Sequence, residues 1–206
     1  MVEERARPRR VELLSVSNVS SSVVWLQWQL QDPHSSPLLS TASGQYQSES
    51  VSALLNASAT EHSFSWLLPA HKYTADVLTQ SGVRPDEFPS TSHSAGPLTF
   101  WTRPLPPLNL SLSHVSSTTA LITWTRPSRT LSDGFVVNVT RGLNTRSRFL
   151  PNGKLQSYTL RELTPGQQYY VSLTSVQNTG REQVHSSAQH LHFTTCKSGF
   201  TYKQSR

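Results

Sequence analysis

The chain has 206 residues, which is enough for one large or two small domains. Hydrophobic residues make up 35% of it and charged residues 15%, so it is too apolar for a disordered chain, and no run approaches the roughly 18 apolar residues of a membrane span. The net charge of +6 permits binding to polyanions, and the single cysteine, Cys196, excludes a disulfide bond within the chain.

The two ends of the sequence are basic. The start, MVEERARPRR, is charged throughout and has no apolar segment of the kind found in a signal peptide. We therefore interpret residues 1–7 as a basic leader within a fragment, or an unusual isoform, of a longer protein. Residues 196–206 are predicted to be a basic tail, in which Cys196 is either a buried thiol or, in an oxidising compartment, a link between chains.

An internal repeat with an offset of 96 residues organises the sequence between these ends. The sequence predicts two domains, at 8–102 and 103–195, joined by the proline-stiffened segment TRPLPP. The matching positions are one tryptophan, one leucine, one proline and one tyrosine in each copy: Trp28 and Trp124, Leu67 and Leu163, Pro69 and Pro165, Tyr73 and Tyr169.

Each copy reads as a series of short strands without helical periodicity. In the first copy VVWLQWQ alternates in polarity, whereas the third strand is unclear and SGQYQSESV is a weak candidate for it. In the second copy the alternating segments are LNLSLSHV, ALITW, FVVNVT and YYVSLTSV. We also expect Asn152-Gly153 to form a hairpin turn, because both residues tolerate positive φ. This pattern is typical of a β-sandwich.

The repeated residues have a physical reason in such a sandwich. A tyrosine at the start of the sixth strand can hydrogen-bond backbone a few residues upstream, and so fix the crossing between the two sheets. The leucine closes that crossing from the inside, the proline fixes φ, and the tryptophan of the second strand fills the core. All eight residues of the repeat are therefore predicted to be structural.

A proline-led first strand, the tryptophan, and Leu-x-Pro-x-x-x-Tyr before the sixth strand resemble the fibronectin type III module. The resemblance implies an all-β chain of two immunoglobulin-like, seven-stranded β-sandwiches in tandem, the first divergent. Modules of this kind are spacers and binding scaffolds. The segment VLTQSG is also similar to the repeats of receptor-type tyrosine phosphatase ectodomains, although the chain contains no phosphatase signature loop.

Four sequons of the form Asn-x-Ser/Thr mark candidate glycosylation sites at Asn18, Asn56, Asn109 and Asn138. Strand alternation directs Asn109 and Asn138 outward, where a glycan has room. Unglycosylated surface asparagines are the alternative. Because fibronectin modules with several sequons are usually extracellular, we expect the chain to be extracellular or at the cell surface as part of a longer protein.

Two further groups are candidate binding residues. Arg141, Arg146, Arg148 and Arg161 lie in and around the third to fifth strands of the second copy, where they form either a patch for sulfated glycosaminoglycan or a solvated basic face. Alternation from Trp28 places Trp25 on the outer face, and Trp66 falls opposite the polar Glu162. We expect these two tryptophans to contact a partner or, as the alternative, to pack against a neighbouring module or a long loop.

No motif for catalysis, a cofactor or nucleic-acid binding is evident, and we expect a non-enzyme without cofactors or membrane insertion. His190 and His192 share a face, but without a third ligand they do not predict a metal site. The leading hypothesis is a binding or spacer segment of a cell-surface receptor that engages a protein ligand. The alternatives are a matrix or heparan-sulfate-binding protein and an intracellular scaffold.

Overall fold

A computed structural model of the chain describes residues 7–31, 34–43, 51–82, 89–128, 131–197 and 202–203. All regular elements in these ranges are β-strands. The chain divides into two compact units, residues 1–102 and 103–206. Each unit is a sandwich of two antiparallel sheets, which confirms the predicted all-β fold class.

The strands of the first unit are β1 (Glu12–Val19), β2 (Val24–Gln29), β3 (Ser36–Ser43), β4 (Val51–Leu54), β5 (Glu61–Phe64), β6 (Lys72–Ser81), β7 (Ser90–Thr91) and β8 (Leu98–Trp101). One sheet has three strands in the order β1-β2-β5. The second sheet has the order β4-β3-β6, and β7 and β8 both pair with β6, at different points along it.

The third strand of the first unit lies earlier than the sequence indicated. SGQYQSESV is not that strand: β3 ends at Ser43, and residues 44–50 lie outside the described residues. The true strand contains Pro37, which donates no ladder hydrogen bond and so weakens a strand pattern. Its carbonyl nevertheless accepts a bond from the N–H of Leu55, and Leu39 is fully buried in the core.

The strands of the second unit are β9 (Leu108–Val115), β10 (Ala120–Thr125), β11 (Gly134–Arg141), β12 (Asn144–Leu150), β13 (Ser157–Leu160), β14 (Gln168–Asn178), β15 (Gln183–His185), β16 (Gln189–Thr194) and β17 (Tyr202–Lys203). One sheet has the order β13-β10-β9-β17. The other has the order β12-β11-β14, and β15 and β16 both pair with β14, at different points along it. Part of the predicted basic tail is thus the short strand β17, paired with β9.

The prediction of a hairpin turn at Asn152-Gly153 is wrong. These residues connect β12 and β13, which belong to different sheets, and neither has a positive φ. Glycine is required there for space, since a Cβ on Gly153 would lie 1.7 Å from the carbonyl oxygen of Ser132. The hairpin of this region joins β11 to β12 through Gly142 and Leu143, and Gly142 has φ of +56°.

The repeat extends to the backbone conformation. Left-handed φ values of +52° to +66° occur at three pairs of positions separated by 96 residues, each pair at the same point of the fold: Leu13 and Asn109, Trp66 and Glu162, Ala70 and Gly166. Such values are unfavourable for residues with a Cβ. Their recurrence in non-glycine residues shows that the fold, and not the local residue, fixes the backbone there.

The core of each unit is built from the inward residues of both sheets around one tryptophan. Trp28 and Trp124 are 5% and 4% exposed. Trp124 packs edge-on against Phe135, with ring centroids 5.1 Å apart.

The described part of the chain contains no helix long and apolar enough to cross a membrane.

Candidate functional site

A groove runs along the second unit where the two sheets end side by side. Strand β12 is the edge of one sheet and β13 is the edge of the other. The space between them has a volume of about 1210 Å³. All four arginines singled out from the sequence, Arg141, Arg146, Arg148 and Arg161, line it. We call this feature the arginine groove.

The strand register explains why two of these arginines point into the groove. Val137 pairs with Arg148, and Val139 pairs with Arg146. Directly paired residues of an antiparallel ladder project from the same face. Both arginines therefore share the face of the buried Val137, but they lie on an edge strand, and their side chains reach solvent.

Arg141 lines the groove and also contacts the crossing between the two sheets, at Thr164 and Tyr169. Its Nη1 donates a hydrogen bond to the hydroxyl of Thr164, and the backbone N–H of Thr164 donates to the hydroxyl of Tyr169 at 2.8 Å. Burial by itself would raise the pKa of Tyr169. The hydrogen bonds with Thr164 and the charge of Arg141 outweigh burial and lower the pKa of Tyr169 below its ordinary value.

Glu162 and Tyr158 also line the groove, together with Tyr169. Glu162 lies 3.6 Å from the guanidinium of Arg146, and both side chains are largely exposed, so the pair is weak. The guanidinium of Arg148 lies 6.0 Å from the ring centre of Tyr158. Four arginines against one glutamate leave a net charge of +3. Guanidinium groups bind sulfate, phosphate and carboxylate oxygens through paired N–H donors.

Sequence reasoning did not identify Tyr158, Glu162 and Thr164 as parts of this groove. Tyr158 had a usable signal, because it lies two residues before the buried Leu160 and so shares its inward face. Glu162 and Thr164 had none, since both lie in the connection after β13, where alternation does not apply.

The structure places most of the repeated residues as structural positions. Leu67, Leu163, Tyr73 and Tyr169 are buried together with the two tryptophans, and Pro69 is buried as well. The prediction that Pro165 belongs to the structural core is wrong, because Pro165 is exposed. It lies in the turn before Gly166, whose backbone N–H donates to the carbonyl of Cys196.

Two threonines that follow β8 and β16, Thr102 and Thr195, also bind the crossing between the sheets in each unit, and the sequence analysis did not single them out. The hydroxyl of Thr102 donates to the carbonyl of Leu68, and that of Thr195 donates to the carbonyl of Thr164, both at 2.6 Å. Both threonines are buried. The residue at each corner thus has its N–H bound by the tyrosine and its carbonyl bound by the threonine.

The four sequons occupy different environments. Asn18, Asn56 and Asn109 are exposed. Asn138 lies on the outer face, as alternation indicated, but it is half-buried, and its Nδ2 donates to the hydroxyl of Ser172 at 3.3 Å.

The remaining candidates also lie apart from the groove. Trp25 is 44% exposed on β2, and Trp66 is 95% exposed after β5. Cys196 is half-buried, and its thiol donates to the carbonyl of Val115 at 3.6 Å. Within the described ranges no group of three or more His, Cys, Asp or Glu side chains is placed to hold a metal ion.

Comparison with known proteins identifies the fold as a known one. Residues 105–191 match the sequence model of the fibronectin type III domain. Tenascin of Gallus gallus is 26% identical over 171 residues, which are 83% of this chain and 9% of that protein. The chain thus spans a small fraction of that relative's length.

Two solved structures are similar to the chain. A two-domain fibronectin type III segment from chicken tenascin superposes with a TM-score of 0.57 at 19% identity, and the match covers 90% of this chain and 99% of the other. A chicken CNTN1 structure of domains FN1–FN3 gives a TM-score of 0.41 at 11% identity, covering 94% and 70%. Residues 105–191 are therefore a fibronectin type III domain, and the chain as a whole consists of two modules of this fold in tandem.

Proposed function

We propose that the chain is a non-catalytic, extracellular binding and spacer segment of a larger cell-surface protein. The observation that carries this is the exposure of three sequons, Asn18, Asn56 and Asn109, on the surfaces of two sandwich modules. A glycan is bulky and solvated, so a glycosylated asparagine must lie on the surface of the folded module. The likeness to tenascin supports the same location.

The mechanism of such a segment is mechanical and steric. Stiff sandwiches hold distance, and their loops and sheet faces bind a protein ligand. The finer assignment to a receptor-type tyrosine phosphatase stays a prediction, based on VLTQSG alone. The sequence of the full-length precursor tests it directly.

Site occupancy in a secretory host tests the extracellular assignment. The chain is secreted, digested, and its asparagine-containing peptides are weighed before and after treatment with an N-glycosidase. We expect glycan mass at two or more of Asn18, Asn56, Asn109 and Asn138. A secreted chain with all four asparagines unmodified contradicts the proposal.

The arginine groove favours a second function, in which the second module binds a sulfated glycosaminoglycan. Arg146 and Arg148 are two residues apart on one strand face, which separates them by about 6–7 Å along β12. A linear polyanion lying along this edge meets both guanidinium groups, with Arg141 and Arg161 lining the same groove. Attraction of this kind falls steeply with added salt.

Heparin chromatography tests the groove. Replacing Arg146 and Arg148 together with Ala should weaken binding by about tenfold per arginine, since each exposed charge-assisted contact contributes roughly 1–1.5 kcal/mol. The matched control replaces Arg103 and Arg181, which are exposed and outside the groove, and removes the same charge. Equal losses in the two double variants reduce the effect to net charge and contradict a groove site.

A further inference from the structure

The sequon asparagine Asn18 and the exposed Trp25 are direct cross-strand partners. In the register of β1 and β2, Asn18 pairs with Trp25, and the next pair is Val19 with Val24. Val24 is fully buried, so alternation places Asn18 and Trp25 on the opposite, outer face of the three-stranded sheet. Both side chains are exposed there.

The surroundings of Trp25 leave nearly half of its surface exposed to solvent. Its partner on the other side, in β5, is the small Ser63. The hydroxyl of Ser17 donates to the Trp25 carbonyl at 3.2 Å and helps to hold the register. A tryptophan that is 44% exposed within a strand keeps a large apolar surface in water, which is unfavourable unless something covers it.

The second module provides an internal comparison. At the same point of its fold Leu121 pairs with His114. Leu121 is half-buried, and His114 lies in no sequon. The aromatic residue and the sequon therefore occur together in the first module, and both are missing at the equivalent positions of the second.

We propose that Asn18 carries an N-linked glycan whose first N-acetylglucosamine lies against the indole of Trp25. Directly opposed Cβ atoms of an antiparallel pair are about 4.5–5.5 Å apart, which is within reach of a sugar attached to the asparagine amide. The pyranose ring has an apolar C–H face, and packing it on the indole removes apolar surface of both from water. This inference rests on the extracellular function proposed above.

The position of Asn18 leaves room for a glycan on the folded module. Strand β1 is the edge of its sheet, and Asn18 lies one residue before the end of the strand. Asn56 is the natural control, since it is exposed in the turn after β4, where its carbonyl accepts a bond from the N–H of Ala59. No strand ladder places an aromatic residue opposite Asn56 in the described part of the chain.

The experiment uses the secreted full chain with its glycans trimmed to the first N-acetylglucosamine. Proton NMR should show sugar protons at Asn18 shifted upfield by the indole ring current. The shift should be lost in Trp25→Thr, because threonine is favoured in exposed strands but has no ring. It should be retained in Trp25→Phe, because phenylalanine keeps an aromatic face. Sugar protons at Asn56 should be unshifted in all variants.

Complete removal of the glycans provides a second readout. It should lower the melting temperature of the first module by about 2–6 °C in the native chain, and by much less in Trp25→Thr. Equal lowering in both, or an unshifted sugar at an occupied Asn18, overturns the inference. An unmodified Asn18 beside occupied Asn56 and Asn109 also overturns it and leaves the extracellular function standing. Four unmodified asparagines overturn both.

Discussion

The hydroxyl of Tyr169 accepts a hydrogen bond of 2.8 Å from the backbone N–H of Thr164, five residues upstream. In the first module Tyr73 accepts the N–H of Leu68 at the same distance and the same spacing. The ring of Tyr169 is buried and stacked on Phe193 of β16, with ring centroids 5.8 Å apart. One side chain thus joins the crossing between sheets to the core.

Tyr169→Phe should destabilise the second module by about 1–2 kcal/mol, because the ring remains and only the partner of the Thr164 N–H is removed. For a module of this size the melting temperature should fall by roughly 4–8 °C per kcal/mol. Differential scanning calorimetry measures it. Tyr170→Phe is the control, because Tyr170 is the next residue in the chain and is 55% exposed to solvent. Equal melting temperatures for the two variants contradict a role for the Tyr169 hydroxyl.

Thr195→Val should cost more, about 2–3 kcal/mol, although it preserves the shape of the side chain. The hydroxyl of Thr195 donates to the Thr164 carbonyl at 2.6 Å and accepts the N–H of Gln167 at 3.0 Å, so its removal leaves two backbone groups without that partner. Urea denaturation gives the change. Thr194→Val, at the exposed last residue of β16 next to Thr195, should lie within about 0.5 kcal/mol of the native chain. A Thr195→Val variant as stable as Thr194→Val shows that the corner does not depend on the hydroxyl.

The two core tryptophans should respond differently to replacement by Phe. The indole N–H of Trp28 donates to the carbonyl of Ala59 at 3.0 Å, whereas that of Trp124 is buried with no hydrogen-bond partner among the described residues. Both variants lose ring volume, but only Trp28→Phe loses a hydrogen bond. We expect its module to lose about 1 kcal/mol more, measured by native-state hydrogen exchange, which reports on each module separately. A larger loss for Trp124→Phe is the contrary result.

Ionisation of Tyr169 should couple to the stability of the second module at alkaline pH. The pKa is lower in the folded chain than the ordinary tyrosine value of about 10. The folded state therefore holds the phenolate better than the unfolded state does. The resulting stabilisation is absent at neutral pH, grows as pH rises through the folded pKa, and is complete above the unfolded value.

An ultraviolet titration of phenolate absorbance measures this pKa. Arg141→Ala should raise the pKa of Tyr169, because it removes a nearby positive charge. Tyr169→Phe should remove from the titration the component that ionises below the ordinary range. A titration unchanged by either substitution contradicts the assignment.

Much of the fold could be predicted from the sequence, because it depends on patterns of period two and on a repeat. Trp124 and Tyr169 are buried where alternation and the repeat indicated. The two wrong predictions have different causes. The β3 strand was missed because Pro37 interrupts its sequence pattern. The need for glycine at position 153 was misread because the atom that leaves no room for a Cβ belongs to Ser132, twenty-one positions earlier in the chain.

The arginine groove shows the same limit for a site. The sequence predicted all four arginines as one candidate patch, but strand alternation relates only Arg146 and Arg148, which lie two residues apart on one strand and so share a face. That Arg141 and Arg161 line the same groove depends on two sheets ending side by side. The bond from Thr195 to Thr164 joins residues 31 positions apart, and no short-range pattern reveals such a pair.

Strand β12 pairs with β11 on one side, and its other edge meets no strand within the described part of the second module. An uncovered strand edge is a template for pairing with another molecule of the same chain. Arg146 and Arg148 place positive charge along that edge, and a second copy approaching in register would bring the same charges close to them. Repulsion between these like charges therefore opposes pairing of the β12 edge with a second copy of the chain.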